Sequence, residues 1–187
     1  MGLVYQFTVV ILLAQMLAKK ISLDKAKPEK LFYFVANAVV YRPSDSRCLI
    51  LKRSDQEKVF PGKWAVPGGK LEWADFDINK PDRTLSDEVV NFVNPIEKLL
   101  IREVREEAGI EVEDQLDYSG KSVLIVRPDE IPVVFVVFVA TYKSGEVKLE
   151  EGAFTDSAWV NAEEVKAYDC IEGIDQEIAG AIDRLSK

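Results

Sequence analysis

Residues 102–110 read Arg-Glu-Val-Arg-Glu-Glu-Ala-Gly-Ile, and three of them are glutamates at a spacing that only a helix makes meaningful. At about 100° per residue, Glu103, Glu106 and Glu107 fall within one arc, neighbours at i, i+3 and i+4. Like charges so placed repel by a few tenths of a kcal/mol per pair. No lysine is interleaved among them, so a chain that gathers them is expected to neutralise them with a further partner. A hard divalent cation, which takes carboxylate oxygens, is the natural partner. The plain alternative is a solvated acidic face, and the surrounding helix argues against it. Asn94-Pro95-Ile96-Glu97 supplies an N-cap, a proline at the first helical position and an acidic N3 residue, while Gly109 stands where the helix closes. Between these caps Ile96, Leu99 and Leu100 project on the side of the glutamates, so a stripe that begins as core continues as carboxylate.

Upstream lies Trp64-Ala-Val-Pro67-Gly68-Gly69-Lys70-Leu71-Glu72. A Pro-Gly-Gly turn lets backbone approach a ligand or metal, since glycine has no Cβ and accepts positive φ. Together with Arg102-Glu103-x-x-Glu106-Glu107-x-Gly109-Ile110, this segment resembles the Nudix box, whose pattern runs Gly, five residues, Glu, seven residues, then Arg-Glu-aliphatic-x-Glu-Glu-x-Gly-aliphatic. The second half matches at every specified position. The first half departs from the pattern. Counting forward from Gly69 places Asp75 at the first acidic position, and counting back from Arg102 places Asn94 there, so an insertion at about residues 75–93 interrupts the box. Within it Asp75, Asp77 and Asn79 mimic the start of a calcium loop, but Lys80 and Ser86 stand where the loop needs glycine and glutamate, and the segment reads as a polar surface loop.

The resemblance implies an α/β fold, the Nudix-type α/β/α sandwich with a mixed β-sheet, over residues 31–187. It also implies hydrolysis of a pyrophosphate bond in a nucleoside diphosphate derivative, of the nucleotide or nucleotide-sugar class. Glu103, Glu106 and Glu107 would hold Mg²⁺, or Mn²⁺, with the Gly69 carbonyl completing the shell. Glu103 and Glu106 would act in catalysis, with Arg102 orienting Glu103. A further acid commonly comes from a loop outside the box, and Glu150, Glu151 and Asp156 lie in the corresponding stretch. Arg53, ending a strand, and Arg127, opening a loop, are candidates to grip phosphates. The alternatives are a non-catalytic Nudix-like nucleotide-binding module and a membrane-tethered protein with a Nudix domain.

Composition agrees with carboxylate chemistry. The 187 residues carry a net charge of −8, which disfavours nonspecific binding to a nucleic-acid backbone and leaves a small nucleotide as the expected partner. The absence of histidine removes imidazole bases and the usual zinc ligands, and Cys48 and Cys170 stand in no metal or redox spacing, which fits a cytoplasmic setting. Residues 1–30 form a separate segment: an apolar run at 3–18, then a polar linker. The run lacks the charged start and cleavage site of a signal peptide and borders on membrane-span length. With Gln6 and Gln15 inside it, it reads as an apolar helix docked on the domain or in a homodimer, with membrane contact as the rival. Beyond it, strand-like runs are expected at 32–41, 48–52, 122–126, 132–142 and 156–160, with helices at 162–168 and about 175–185.

Overall fold

The computed structural model describes residues 25–85 and 89–185. The apolar run at 3–18 lies outside them; among the described residues no helix is long and apolar enough to cross a membrane. Chain contacts separate two units, one of residues up to Leu31 with Glu72–Pro95, the other of Phe32–Leu71 with Ile96–Lys187.

The larger unit is built on a mixed eight-stranded sheet. β1 (Tyr33–Arg42) turns back at a hairpin into β2 (Arg47–Arg53), then come the short β3 (Trp64–Ala65) and β4 (Gly68–Lys70). β4 pairs antiparallel with β1, so that Ala36 faces Gly69 and Asn37 faces Gly68 in the ladder. The Pro-Gly-Gly segment is therefore strand as well as turn, a point its glycines conceal. After helix α1 (Pro95–Ala108) follow β7 (Glu111–Val112), β8 (Asp117–Val126), β9 (Pro132–Ser144) and β10 (Phe154–Val160). The central order is β10-β2-β1-β9-β7, with β1 and β9 parallel from Tyr33↔Val133 to Tyr41↔Thr141 and β8 antiparallel on β9. Helix α2 (Ile174–Leu185) ends the described chain.

Alternation along β1 and β9 builds a core on each face of the sheet. Ala36, Ala38, Val40, Val136 and Phe138 pack with Leu99, Leu100 and Val104 of α1. Val39, Tyr41, Val137 and Val139 pack with Ile174, Ile178 and Ala181 of α2. Helix, sheet, helix is the expected sandwich. The expected helix at 162–168 is instead a 3-10 turn, Glu164–Ala167. Asn161 Oδ1 accepts the N–H groups of Glu163 and Glu164, which starts the turn, but only Val165 is buried, too little to sustain an α-helix.

The smaller unit is more structured than a plain loop. A 3-10 turn at Trp73–Asp75 leads to a two-stranded ladder of β5 (Arg83–Thr84) and β6 (Val90–Asn91), and Phe76 meets Phe92 with ring centroids 5.1 Å apart. The two acids that mimicked a calcium loop, Asp75 and Asp77, and Asp82 beyond them are occupied as turn caps. Asp75 accepts the Glu72 N–H at 2.8 Å, Asp77 the Asn79 N–H at 3.0 Å, and Asp82 the Val93 N–H at 2.7 Å.

Candidate active site

The site grows from α1. Pro95 fixes the first turn, Asn94 enters it at φ +51°, and Gly109 leaves at φ +67° with its N–H on the Arg105 carbonyl at 3.0 Å, a left-handed exit that glycine makes without strain. Leu99, Leu100, Val104 and Ala108 are buried, at about 1.5–3 kcal/mol for each large side chain, and this fixes the helix's rotation. With those residues inward, Glu103 and Glu107 come to the edge of the buried stripe and Glu106 to the surface. Their environments differ accordingly: the side chain of Glu103 is 17% exposed and that of Glu106 53%.

Glu103 lies directly against Gly69. A Cβ at that glycine would fall 2.5 Å from the Glu103 carboxylate, so the position admits only glycine while Glu103 stays where it is. Next to it, the Gly68 N–H donates to Oε2 of Glu107 at 3.0 Å. The two glycines of β4 thus meet two glutamates one helical turn apart. Gly68 is closed on its other side, where a Cβ would strike Asn37 Oδ1 and the Ala36 carbonyl.

Glu107 is half-buried. Burial pushes its carboxyl group up to about 8, the Gly68 hydrogen bond opposes the shift, and the negative charges of Glu103 and Glu150 add to it. Arg53 pulls the other way, which places its charge near the cluster. Arg102 is shared between two glutamates, 3.0 Å from Oε1 of Glu103 and 3.1 Å from Oε2 of Glu106.

Glu150 arrives through the backbone. The last carbonyls of α1 are capped by the chain after β9, Ala108 accepting the Lys148 N–H at 2.8 Å and Glu107 the Glu150 N–H at 3.1 Å. Of the three acids expected from this stretch, Glu150 is the one whose charge reaches Glu107, whereas Asp156 sits in β10 and accepts the Ser157 N–H at 2.7 Å.

The two arginines part company. Arg53 donates Nε–H to the Val59 carbonyl at 2.9 Å and Nη2–H to Oε2 of Glu57 at 2.5 Å. Glu57 leaves no signal in the sequence, since its spacing to Arg53 means something only on a helix, and this segment is a loop. Arg127 stands at the β8–β9 turn, paired with Asp129 at 2.7 Å, and none of its described contacts touches the carboxylates. The glutamates, Gly69 and Arg53 are therefore together, and Arg127 is apart.

Among the described residues no three acidic or sulfur-bearing side chains converge on a common point as they stand. The donor set nevertheless suits a hard cation. All its groups are oxygens, Glu103 rests in a cradle that a Cβ would fill, and Glu107 is held out of water at a cost that a positive charge would cancel.

No protein-family model matches the chain. The nucleoside triphosphatase NudI of Escherichia coli (strain K12) is 30% identical over 138 residues, covering 67% of this chain and 81% of that protein. Among solved structures, the MutT protein of Methanosarcina mazei Go1 matches 86% of this chain and 99% of its own at 24% identity and TM-score 0.57. The NUDIX domain of Shewanella oneidensis NrtR, complexed with ADP ribose, matches 87% and 96% at 19% identity and TM-score 0.61. The last two establish the fold alone. With the box residues assembled on β4 and α1 and NudI matched over most of its length, the chain belongs to the Nudix hydrolases and is a pyrophosphohydrolase of that family.

Proposed function

We propose that the enzyme cleaves the pyrophosphate bond of a small nucleotide, a nucleoside triphosphate or a nucleoside diphosphate derivative, with a divalent cation held by Glu103, Glu106 and Glu107 and the Gly69 carbonyl. The observation that carries this reading is the contact of β4 with α1, where Gly69 gives way to Glu103 and the Gly68 N–H fixes Glu107. Similarity to a nucleoside triphosphatase supports the substrate class. Mg²⁺ or Mn²⁺ would neutralise charge developing on the phosphate oxygens and lower the pKa of a bound water.

The protein's own groups have separable tasks. Arg102 holds Glu103 and Glu106 at a fixed spacing and acts as a positioning residue. Glu106, the most exposed of the three, pairs with Arg102 through Oε2 and would serve the cation from the solvent side. Glu150, whose charge acts on Glu107, is the acid from outside the box that would accept a proton from an attacking water. Arg53 is the cation beside the cluster that would grip a phosphate, exchanging its contact with Glu57 for a charge-assisted pair with the substrate. The three glutamates of the second half of the box, Glu103, Glu106 and Glu107, are all present, which favours hydrolysis over a binding module that holds a nucleotide uncleaved. A panel of nucleoside triphosphates, nucleotide sugars and dinucleoside polyphosphates, with products separated by charge, tests the reading. Release of a nucleoside monophosphate is expected for at least one member. Binding without product across the panel would favour the module.

A further inference from the structure

On the face of the sheet opposite α1, the sheet and α2 leave a cavity of about 160 Å³. Its floor is apolar, formed by Val39, Val137 and Val139. Its wall is built where β8 breaks register. Tyr118 pairs with Phe138 and Ser122 with Val136, so residues 119–121 all stand opposite Val137 and outside the regular ladder. Arg184 of α2 pins this bulge, donating to the carbonyls of Tyr118 at 2.7 Å and Ser119 at 3.1 Å.

The bulge delivers Lys121 to α2, where Nζ donates to Oε1 of Glu177 at 2.8 Å. The Glu177 side chain is only 6% exposed, and its second oxygen, Oε2, is buried without a hydrogen-bond partner among the described residues. An acceptor left so costs on the order of 1–3 kcal/mol, more when it carries charge. Burial also pushes this carboxyl above the usual range. The α1 carboxylates belong to the other face of the sheet, so the hydrolytic site does not use the group.

The chemistry of the wall selects a ligand. Arg184, the third charged side chain of the lining, is exposed and committed to the Tyr118 and Ser119 carbonyls, so inside the cavity Lys121 and Glu177 cancel in charge; a charged guest would bury an uncompensated charge against valines, and the guest is neutral. Oε2 needs a donor, while Nζ has N–H groups beyond the one given to Glu177 and can serve an acceptor. A donor beside an acceptor on one rigid edge is a lactam, –NH–C(=O)–. The volume is close to that of a cavity known to admit benzene, which limits the guest to about a single ring. Gly180 borders the opening, where a Cβ would meet nothing within 4 Å, which leaves an exit for a substituent such as a sugar.

We propose that this cavity is a second ligand site, separate from the catalytic carboxylates, which takes the lactam edge of a nucleobase or free nucleoside between Lys121 and Glu177. Titration of the full chain with uridine, followed by amide NMR shifts, tests it. Saturable shifts at Lys121, Glu177 and Gly180 are expected, with affinity at least about tenfold weaker for N3-methyluridine, whose donor is blocked. Gly180→Leu puts a side chain into the opening while improving helix propensity. It should remove the shifts and leave nucleotide hydrolysis unchanged. Glu177→Gln, with its amide oxygen on Lys121 and its NH₂ at the former acceptor, should also remove them. Shifts confined to α1 and β4, equal affinity for the methylated nucleoside, or no saturable shift at millimolar uridine would each overturn the assignment.

Discussion

Glu107 gives the site a pH signature that needs no substrate. Its carboxyl group is raised from 4.5 to about 8 by burial, so between these values the folded protein holds a proton that the unfolded chain has lost. Stability from this group is complete below the unfolded value and is lost as pH rises through the folded one. At 1.36 kcal/mol per unit the two limits differ by about 5 kcal/mol, on the order of 10 °C in melting temperature for a domain of this size. Thermal or urea unfolding of the metal-free protein at pH 5 and at pH 8.5 measures the drop. Glu107→Gln keeps an oxygen for the Gly68 N–H and does not titrate, so its stability should change much less across that range and exceed the parent's at pH 8.5. A divalent cation, which favours the ionised carboxylate, should stabilise the parent more at pH 8.5 than at pH 6. A parallel pH dependence in parent and variant would show that Glu107 is not the group held protonated, and that its burial is no reservoir for a cation.

Gly69→Ala should leave the melting temperature within a few degrees, because the added methyl meets a movable side chain, yet lower turnover by at least about tenfold by displacing Glu103. Gly68→Ala, which meets the Ala36 backbone, should instead unfold the protein at markedly lower denaturant. Leu100→Ala, at a fully buried position, should cost about 2–5 kcal/mol in chemical denaturation with little change in the turnover of the folded fraction. Arg53→Ala should raise KM for a phosphorylated substrate by about tenfold or more, and Arg127→Ala should not, a contrast that steady-state kinetics resolves.

What the sequence disclosed followed from how regular each signal was. Helix α1 was readable because a proline, a glycine and a 3.6-residue apolar stripe all agreed, and β1, β2, β9 and β10 because β-branched runs are long enough to show. Strands β3, β4 and β7 were hidden: two or three residues have no period, and Gly68-Gly69 carries no side chain to pattern. β8 was underestimated at its start because the bulge at 119–121 breaks the alternation. In the site, spacing put three glutamates on one arc but could not rank them. Only the packing of Leu100 and Val104 makes Glu103 and Glu107 inward and Glu106 outward. Glu150 is selected by a backbone hydrogen bond to the end of α1, and Arg53 by a loop that returns to it, neither of which leaves a pattern in the chain.

The central claim is that the α1 carboxylates hold a divalent cation that the hydrolysis requires. Its most direct measurement is turnover of a nucleoside triphosphate against Mg²⁺ and Mn²⁺ concentration, in the parent and in Glu106→Gln and Glu107→Gln. The account predicts no turnover after chelation, saturable restoration by either metal, and a loss worth several kcal/mol of barrier in each variant. Metal-independent turnover, or near-normal rates in either variant at limiting metal, would contradict it.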